Sequence, residues 1–265
     1  MKLTIVGCSG SFPGPSSPAS CYLLTANDGE RDWRLLLDIG SGALGVLQRY
    51  MDLSDIDGVL LSHLHPDHCM DLTGLQVAIH WDPNGWPSGR VPVWGPEATA
   101  RRISIALDME PAADLHEDFE FHSWVPGDTV ELGPFRFSVH PARHPIAEAY
   151  AMRIESAEPR RDGSVERRVL AYSGDTDSCP GLVDAARGAD MFLCEAAYHE
   201  GRDDAIDGVH LTGLRAGQAA ADAGAKRLLL THLPVWNDAN RTVTEAQQAY
   251  TGPISVAVAG VHYVV

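Results

Sequence analysis

Residues 59–68 read Val-Leu-Leu-Ser-His-Leu-His-Pro-Asp-His, an aliphatic run that ends in three histidines and a carboxylate. The run fits a strand buried on both faces. Residues two apart on an extended segment point the same way, so His63 and His65 can meet one metal ion. Pro66 then turns the chain into a helix, which swings Asp67 and His68 towards a second ion. Imidazole with carboxylate suits zinc, manganese or iron. A buried strand delivering this cluster argues for a catalytic two-metal site rather than a solvated histidine-rich turn.

Other donors are expected at other strand ends. Residues 228–233, Leu-Leu-Leu-Thr-His-Leu, repeat the device and deliver His232. His144 follows the strand-like stretch 135–139, and Asp175 lies in Tyr-Ser-Gly-Asp-Thr after another. Each alone is commonly a structural hydrogen-bonder. Three strand-end donors behind a His-x-His-x-Asp-His segment together read as one coordination shell.

The remaining pattern reads as strands at 2–7, 21–26, 34–40, 59–61 and 91–94, with helices at 41–51, 67–81 and 97–109. Short strands with turns follow between 119 and 139, then strands at 149–155 and 168–172 flank a charged turn. Helices at 181–187, 212–223 and 242–250 alternate with strands at 191–194, 227–230 and 254–259. No Ser/Gly linker divides the chain, so a single α/β domain over 1–265 is expected: two mixed sheets packed together with helices outside.

Composition narrows the function. The net charge of −16 argues against broad polyanion binding, which needs Lys and Arg to displace counterions. A bound metal can still supply local positive charge to a small phosphate. No stretch approaches the roughly 20 apolar residues of a membrane span. Ile5-Val6-Gly7-Cys8 looks like a lipoprotein box but lacks the apolar segment of about 7–15 residues before it. Five scattered cysteines without Cys-x-x-Cys spacing read as reduced thiols in a cytoplasmic protein.

His-Leu-His-Pro-Asp-His, Ser-Gly-Asp-Thr and Thr-His-Leu, with Leu36-Leu37-Asp38-Ile39-Gly40 upstream, resemble the metallo-β-lactamase superfamily over essentially the whole chain. The resemblance implies a four-layer αββα sandwich with metals at one edge. It implies one metal held by His63, His65 and His144 and another by Asp67, His68 and His232, with Asp175 bridging them. His140 is the rival for the His144 position. Asp38 resembles the superfamily's carboxylate that orients ligands without binding metal.

Cys194-Glu195-Ala196-Ala197 followed by His210-Leu211-Thr212 is similar to the ribonuclease Z branch, although Cys194 replaces that branch's histidine. There the residues matching Glu195 and His210 relay a proton to the leaving oxygen. Two cations would acidify a water between them, Asp67 would orient it, and His210 would protonate the departing alkoxide. The tRNA-gripping arm of that branch has no room: 30 residues separate His144 from Asp175. Their turn holds Arg160, Arg161, Arg167 and Arg168, the densest basic patch.

Further strings are closer to an actinobacterial group of atypical cyclic-nucleotide phosphodiesterases. They are Val-Gly-Cys-Ser-Gly-Ser at 6–11, Phe-Leu-Cys-Glu-Ala at 192–196 and Leu-Leu-Thr-His-Leu-Pro-Val-Trp at 229–236. The resemblance implies hydrolysis of 3′,5′-cyclic nucleotides to 5′-monophosphates by two divalent ions, zinc first with manganese or iron as alternatives. Loop 10–20, Trp81, Trp86 and Trp236 are candidates to border a base pocket. A homodimer is an expectation from the branch. The alternatives are tRNA 3′ processing and a general esterase or lactonase.

Overall fold

Three successive leucines show why the sheets must stack. Leu35 and Leu37 face one core and Leu36 faces another, so their strand can leave neither side in water. The computed structural model describes residues 1–109 and 112–265. In chain order the strands are β1 (Lys2–Gly7), β2 (Cys21–Asn27), β3 (Asp32–Leu37), β4 (Gly58–Leu60), β5 (Val91–Gly95), β6 (Phe119–Ser123) and β7 (Val130–Leu132). They continue as β8 (Phe135–Pro141), β9 (Tyr150–Pro159), β10 (Val165–Tyr172), β11 (Met191–Glu195), β12 (Leu228–Thr231), β13 (Ile254–Val256) and β14 (His262–Val264). The helices are α1 (Ala43–Leu47), α2 (Pro66–Cys69), α3 (Leu72–His80), α4 (Thr99–Ala106), α5 (Pro180–Ala186), α6 (Gly213–Ala223) and α7 (Ala239–Ala246).

Among the described residues the strands form two seven-stranded sheets, β14-β1-β2-β3-β4-β5-β6 and β13-β12-β11-β10-β9-β8-β7. Each is antiparallel at one end and parallel at the other. Leu3, Ile5, Tyr22 and Leu60 of the first meet Phe137, Ile154, Tyr172 and Leu193 of the second in the central core. Helices α1 and α3 cover the outer face of the first sheet, and α5 and α6 that of the second. This is the expected four-layer αββα sandwich.

Parallel strands held in register end level, as Leu37 opposite Leu60 and Glu195 opposite Thr231 do. The segments leaving β3, β4, β10, β11 and β12 therefore converge at one edge, and the chemistry lies there.

Four local features differ from the reading of the sequence. The helix expected over 67–81 breaks at Met70-Asp71, because the Asp71 N–H donates to the Ile39 carbonyl and its carboxylate accepts from the Leu44 N–H. Strand β3 stops before Asp38, whose backbone is left-handed at φ 56°. Strand β14, an exposed edge paired with β1, carried no clear alternation in sequence. The charged turn narrows to a hairpin tip, with Arg167 and Arg168 on β10 itself.

Candidate active site

After β4 the chain passes through Ser62 to His63 and His65. Pro66 opens α2 at a position where its missing N–H costs nothing, and Asp67 and His68 follow in the first turn. Gly40 makes room for this turn, since a Cβ there would lie 1.9 Å from the Asp67 carbonyl oxygen. From the second sheet, β10 leads through the left-handed Gly174 to Asp175, β12 leads to His232, and the connection from β8 to β9 carries His144. Asp38 and His232 are left-handed non-glycine residues, a strain of about 1–3 kcal/mol each that gathers at functional sites.

The donors form two sets. In the first, His65 Nδ1 lies 3.0 Å from both His63 Nε2 and His144 Nε2. In the second, His232 Nε2 lies 3.1 Å from Asp67 Oδ2 and 3.3 Å from His68 Nε2. Asp175 stands between them. Its Oδ2 is 3.8 Å from His63 Nε2, and its Oδ1 is 3.2 Å from His68 Nε2 and 3.4 Å from His232 Nε2. One carboxylate thus turns one oxygen to each set.

These residues fit two cations. Within each set the donor atoms lie within 4.8 Å of one another. Asp175 Oδ1 is buried without a hydrogen-bond partner, an arrangement that costs free energy unless a cation completes it. Nitrogen and carboxylate donors so placed suit divalent metals.

The outward ring atoms are held so that the inward ones stay aimed. His68 Nδ1 donates to Asp38 Oδ2 at 2.7 Å, and His144 Nδ1 donates to the Val209 carbonyl at 2.7 Å. His63 Nδ1 donates to Ser62 Oγ at 3.1 Å, and that hydroxyl donates to Asp38 Oδ2 at 2.8 Å. Asp38 also accepts from Ser62 N and Tyr172 OH, both at 2.7 Å. Such partners select the tautomer that leaves a lone pair for metal.

Burial holds His63 well below the ordinary imidazole value and lowers His65 and His144, so these three rings are neutral donors. For His68 burial acts the same way, but Asp175, Asp67 and Asp38 outweigh it and raise the ring well above its usual value. Burial would raise the Asp67 and Asp175 carboxyls, yet His68 and His232 hold both far below their usual range.

A third element faces the same place. His210 precedes Thr212, which caps α6 by accepting from Arg215 N at 3.2 Å. Its Nδ1 lies 2.8 Å from Glu195 Oε1 and 4.0 Å from Asp175 Oδ2. Glu195 is wholly buried and is fixed by Thr176 N at 2.9 Å and Ala197 N at 3.0 Å. Burial opposes charge on His210, but Glu195 prevails and pushes its pKa up to about 9. A cavity of about 460 Å³ opens from His210 past Ser11, Tyr198, Arg202 and Trp236. At its mouth the Phe12 and Trp236 rings lie 5.2 Å apart, both exposed.

All seven donors anticipated from the sequence therefore come together, and Glu195 and His210 join them. The choice between His140 and His144 falls to His144. His140 sits on β8 beside a separate cavity with Arg153 and Glu155. Trp236 lines the cavity, but Trp81 and Trp86 do not: Trp81 is exposed beside His80 and Trp86 packs on the outer core of the first sheet. Sequence reasoning missed Tyr198 and Arg202. Their only signal was position, in the loop between Glu195 and His210.

Residues 34–233 match the family described as the beta-lactamase superfamily domain. The chain belongs to that family. An uncharacterized protein of Mycobacterium leprae is 40% identical over 98% of this chain and 87% of its own length. The probable metallo-hydrolase YhfI of Bacillus subtilis is 31% identical over 98% of both chains. Its crystal structure matches with a TM-score of 0.82, covering 99% of this chain and 98% of that one at 28% identity. A ribonuclease Z of Myxococcus xanthus is 27% identical over 98% of this chain and 96% of its own. Membership in the beta-lactamase superfamily, with its His/Asp donor groups intact, makes this protein a metal-dependent hydrolase.

Proposed function

We propose that the protein is a two-metal phosphodiesterase that hydrolyses 3′,5′-cyclic nucleotides to 5′-monophosphates. One observation carries the reading: the carboxylate shared by both donor sets lies 4.0 Å from a histidine held by a buried glutamate. Two divalent cations, zinc by donor chemistry with manganese or iron as alternatives, would neutralise phosphoryl charge and make water nucleophilic at neutral pH. Asp67 orients the attacking water. Glu195 holds the Nδ1 proton of His210, which leaves Nε2 to protonate the departing O3′. Thioester hydrolysis, which expels a thiolate, has no need of such a donor.

The cavity at His210 supports a nucleotide as the substrate. Its volume lies in the small-ligand range, and the Phe12–Trp236 pair offers a π-face to a base. Such stacking is worth about 1–3 kcal/mol.

Kinship with a ribonuclease Z favours tRNA 3′ processing as the second reading. Three features weigh against a gripped RNA. Apart from short connections, the chain between His144 and Asp175 is only the β9–β10 hairpin. Arg160 and Arg168 in that hairpin both pair with Glu166. The net charge is −16.

The test is metal-analysed protein offered cyclic AMP, cyclic GMP, bis(p-nitrophenyl) phosphate, a 3′-extended tRNA and a thioester side by side. Release of 5′-AMP from cyclic AMP supports the reading. Cleavage of the tRNA or the thioester alone overturns it.

A further inference from the structure

A second cavity, of about 340 Å³, opens beside His65 and shares no lining residue with the cavity at His210. Leu64, Ile105 and Ile146 form its apolar walls, and Arg101 and Arg102 of α4 reach it. Elsewhere Arg143, Arg187, Arg202 and Arg241 each hold a carboxylate. Among the described residues Arg101 and Arg102 hold none. The carboxylate on this cavity's lining is Glu148, and both its oxygens are engaged, by Tyr150 OH at 2.8 Å and by Glu97 N at 2.9 Å.

A cyclic mononucleotide carries one nucleoside, and the cavity at His210 accommodates it. A linear diester carries two substituents on phosphorus. With the leaving nucleoside beside the proton donor, the retained one needs a place of its own, and the cavity beside the metal donor His65 is separate from the one at His210. Apolar walls suit a base and ribose, and paired guanidiniums suit a phosphate, which they can grip through two parallel hydrogen bonds.

We infer that the cavity beside His65 is a second nucleotide subsite, read by Arg101 and Arg102, and that short linear dinucleotides ending in a 3′-phosphate are a further substrate class. This rests on the phosphodiesterase reading but not on the cyclic substrate. In the reaction a water oxygen joins phosphorus and the P–O3′ bond breaks. The leaving oxygen takes a proton from His210, and the water gives one up to solvent. Adenylyl-adenosine 3′-phosphate (ApAp) thus yields adenosine and adenosine 3′,5′-bisphosphate.

The test compares kcat/KM of the zinc- or manganese-loaded protein for ApAp and for ApA, which lacks the terminal phosphate. A preference of about tenfold for ApAp is expected from charge-assisted contacts. In Arg101→Ala/Arg102→Ala the ratio falls to near one. Arg101→Gln alone, at an exposed position, lowers it partly and serves if the double variant does not fold. A ratio near one in the unaltered protein, a ratio unchanged in both variants, or cleavage of neither dinucleotide overturns the inference. Cyclic AMP is assayed beside them: its survival while ApAp is cleaved strikes the cyclic-nucleotide reading alone.

Discussion

His210 Nδ1 lies 2.8 Å from Glu195 Oε1, and that carboxylate is wholly buried and held by two backbone amides. The pair is therefore aimed before any substrate arrives. Its ring faces the same centre as the metal donors while sharing none of their tethers. Metal retention and proton donation can accordingly be separated by mutation. His210→Ala should keep its metal content, measured by elemental analysis, and lose about 10²–10⁴ in kcat. Loss of metal instead would remove the proton-donor role.

The pair also sets a pH dependence. Glu195 lifts His210 to about 9 against the penalty of burial, and a donor must be protonated. Activity therefore holds below that value and declines as pH rises through it, while bound cations draw the limb downwards. Glu195→Gln removes the charge that raises the ring, so the basic limb of the kcat profile should move to lower pH. A limb left in place would separate Glu195 from the donor. Because the folded-state pKa is raised, the pair's stabilisation is fully present below about 6.5 and is lost as pH rises towards 9.

Asp175 joins the two donor sets, so chelation and its mutation should read alike. Each cation at a hundredfold over its Kd adds about 2.7 kcal/mol, or about 5–10 °C in Tm for a chain of this size. Stripping metal should lower Tm by at least that amount, and re-addition of zinc should restore it. Asp175→Asn, which keeps shape but loses charge, should hold fewer than two ions and show no measurable turnover. A variant that retained both ions would refute the bridging geometry.

Asp38 accepts four hydrogen bonds on two buried oxygens, one of them from His68 Nδ1. Its left-handed backbone suits Asn far better than Ala. Asp38→Asn should fold and weaken metal affinity about 10–100-fold by loosening His68. Asp38→Ala strands several buried donors as well, and should cost about 3–5 kcal/mol in denaturant unfolding. Equal stability for the two variants would contradict this account.

The donors at His63, His65, Asp67, His68 and His232 were legible because residue type and strand-end position are local properties. Asp175 and His144 were legible only jointly with His232, as strand-end donors behind the histidine cluster, and preferring His144 to His140 needed the resemblance. The expected helix through 67–81 failed because propensity cannot see Asp71 recruited by Leu44 and Ile39 from elsewhere in the chain. Trp81 and Trp86 misled for a related reason: an aromatic type carries no direction, and Trp81 ends α3 facing solvent. The cavity beside His65 was invisible because α4 and residues 146–148 meet only in the fold.

Trp236 carries the last prediction. It is 61% exposed although it lines the cavity at His210, and its ring lies tilted against Phe12, 5.2 Å between centroids. An exposed aromatic at that place is free to stack on a nucleobase, whichever base is offered, because every base presents a π-face. Trp236→Ala should raise KM for cyclic AMP and cyclic GMP by similar factors, about tenfold. Metal content should be unchanged and kcat little altered, since the ring would hold the base and takes no part in the proton transfer. Trp236→Phe should recover most of the loss. If KM stays put while kcat falls, Trp236 shapes the catalytic loop and the base stacks elsewhere. Steady-state kinetics on the two nucleotides decide between these outcomes.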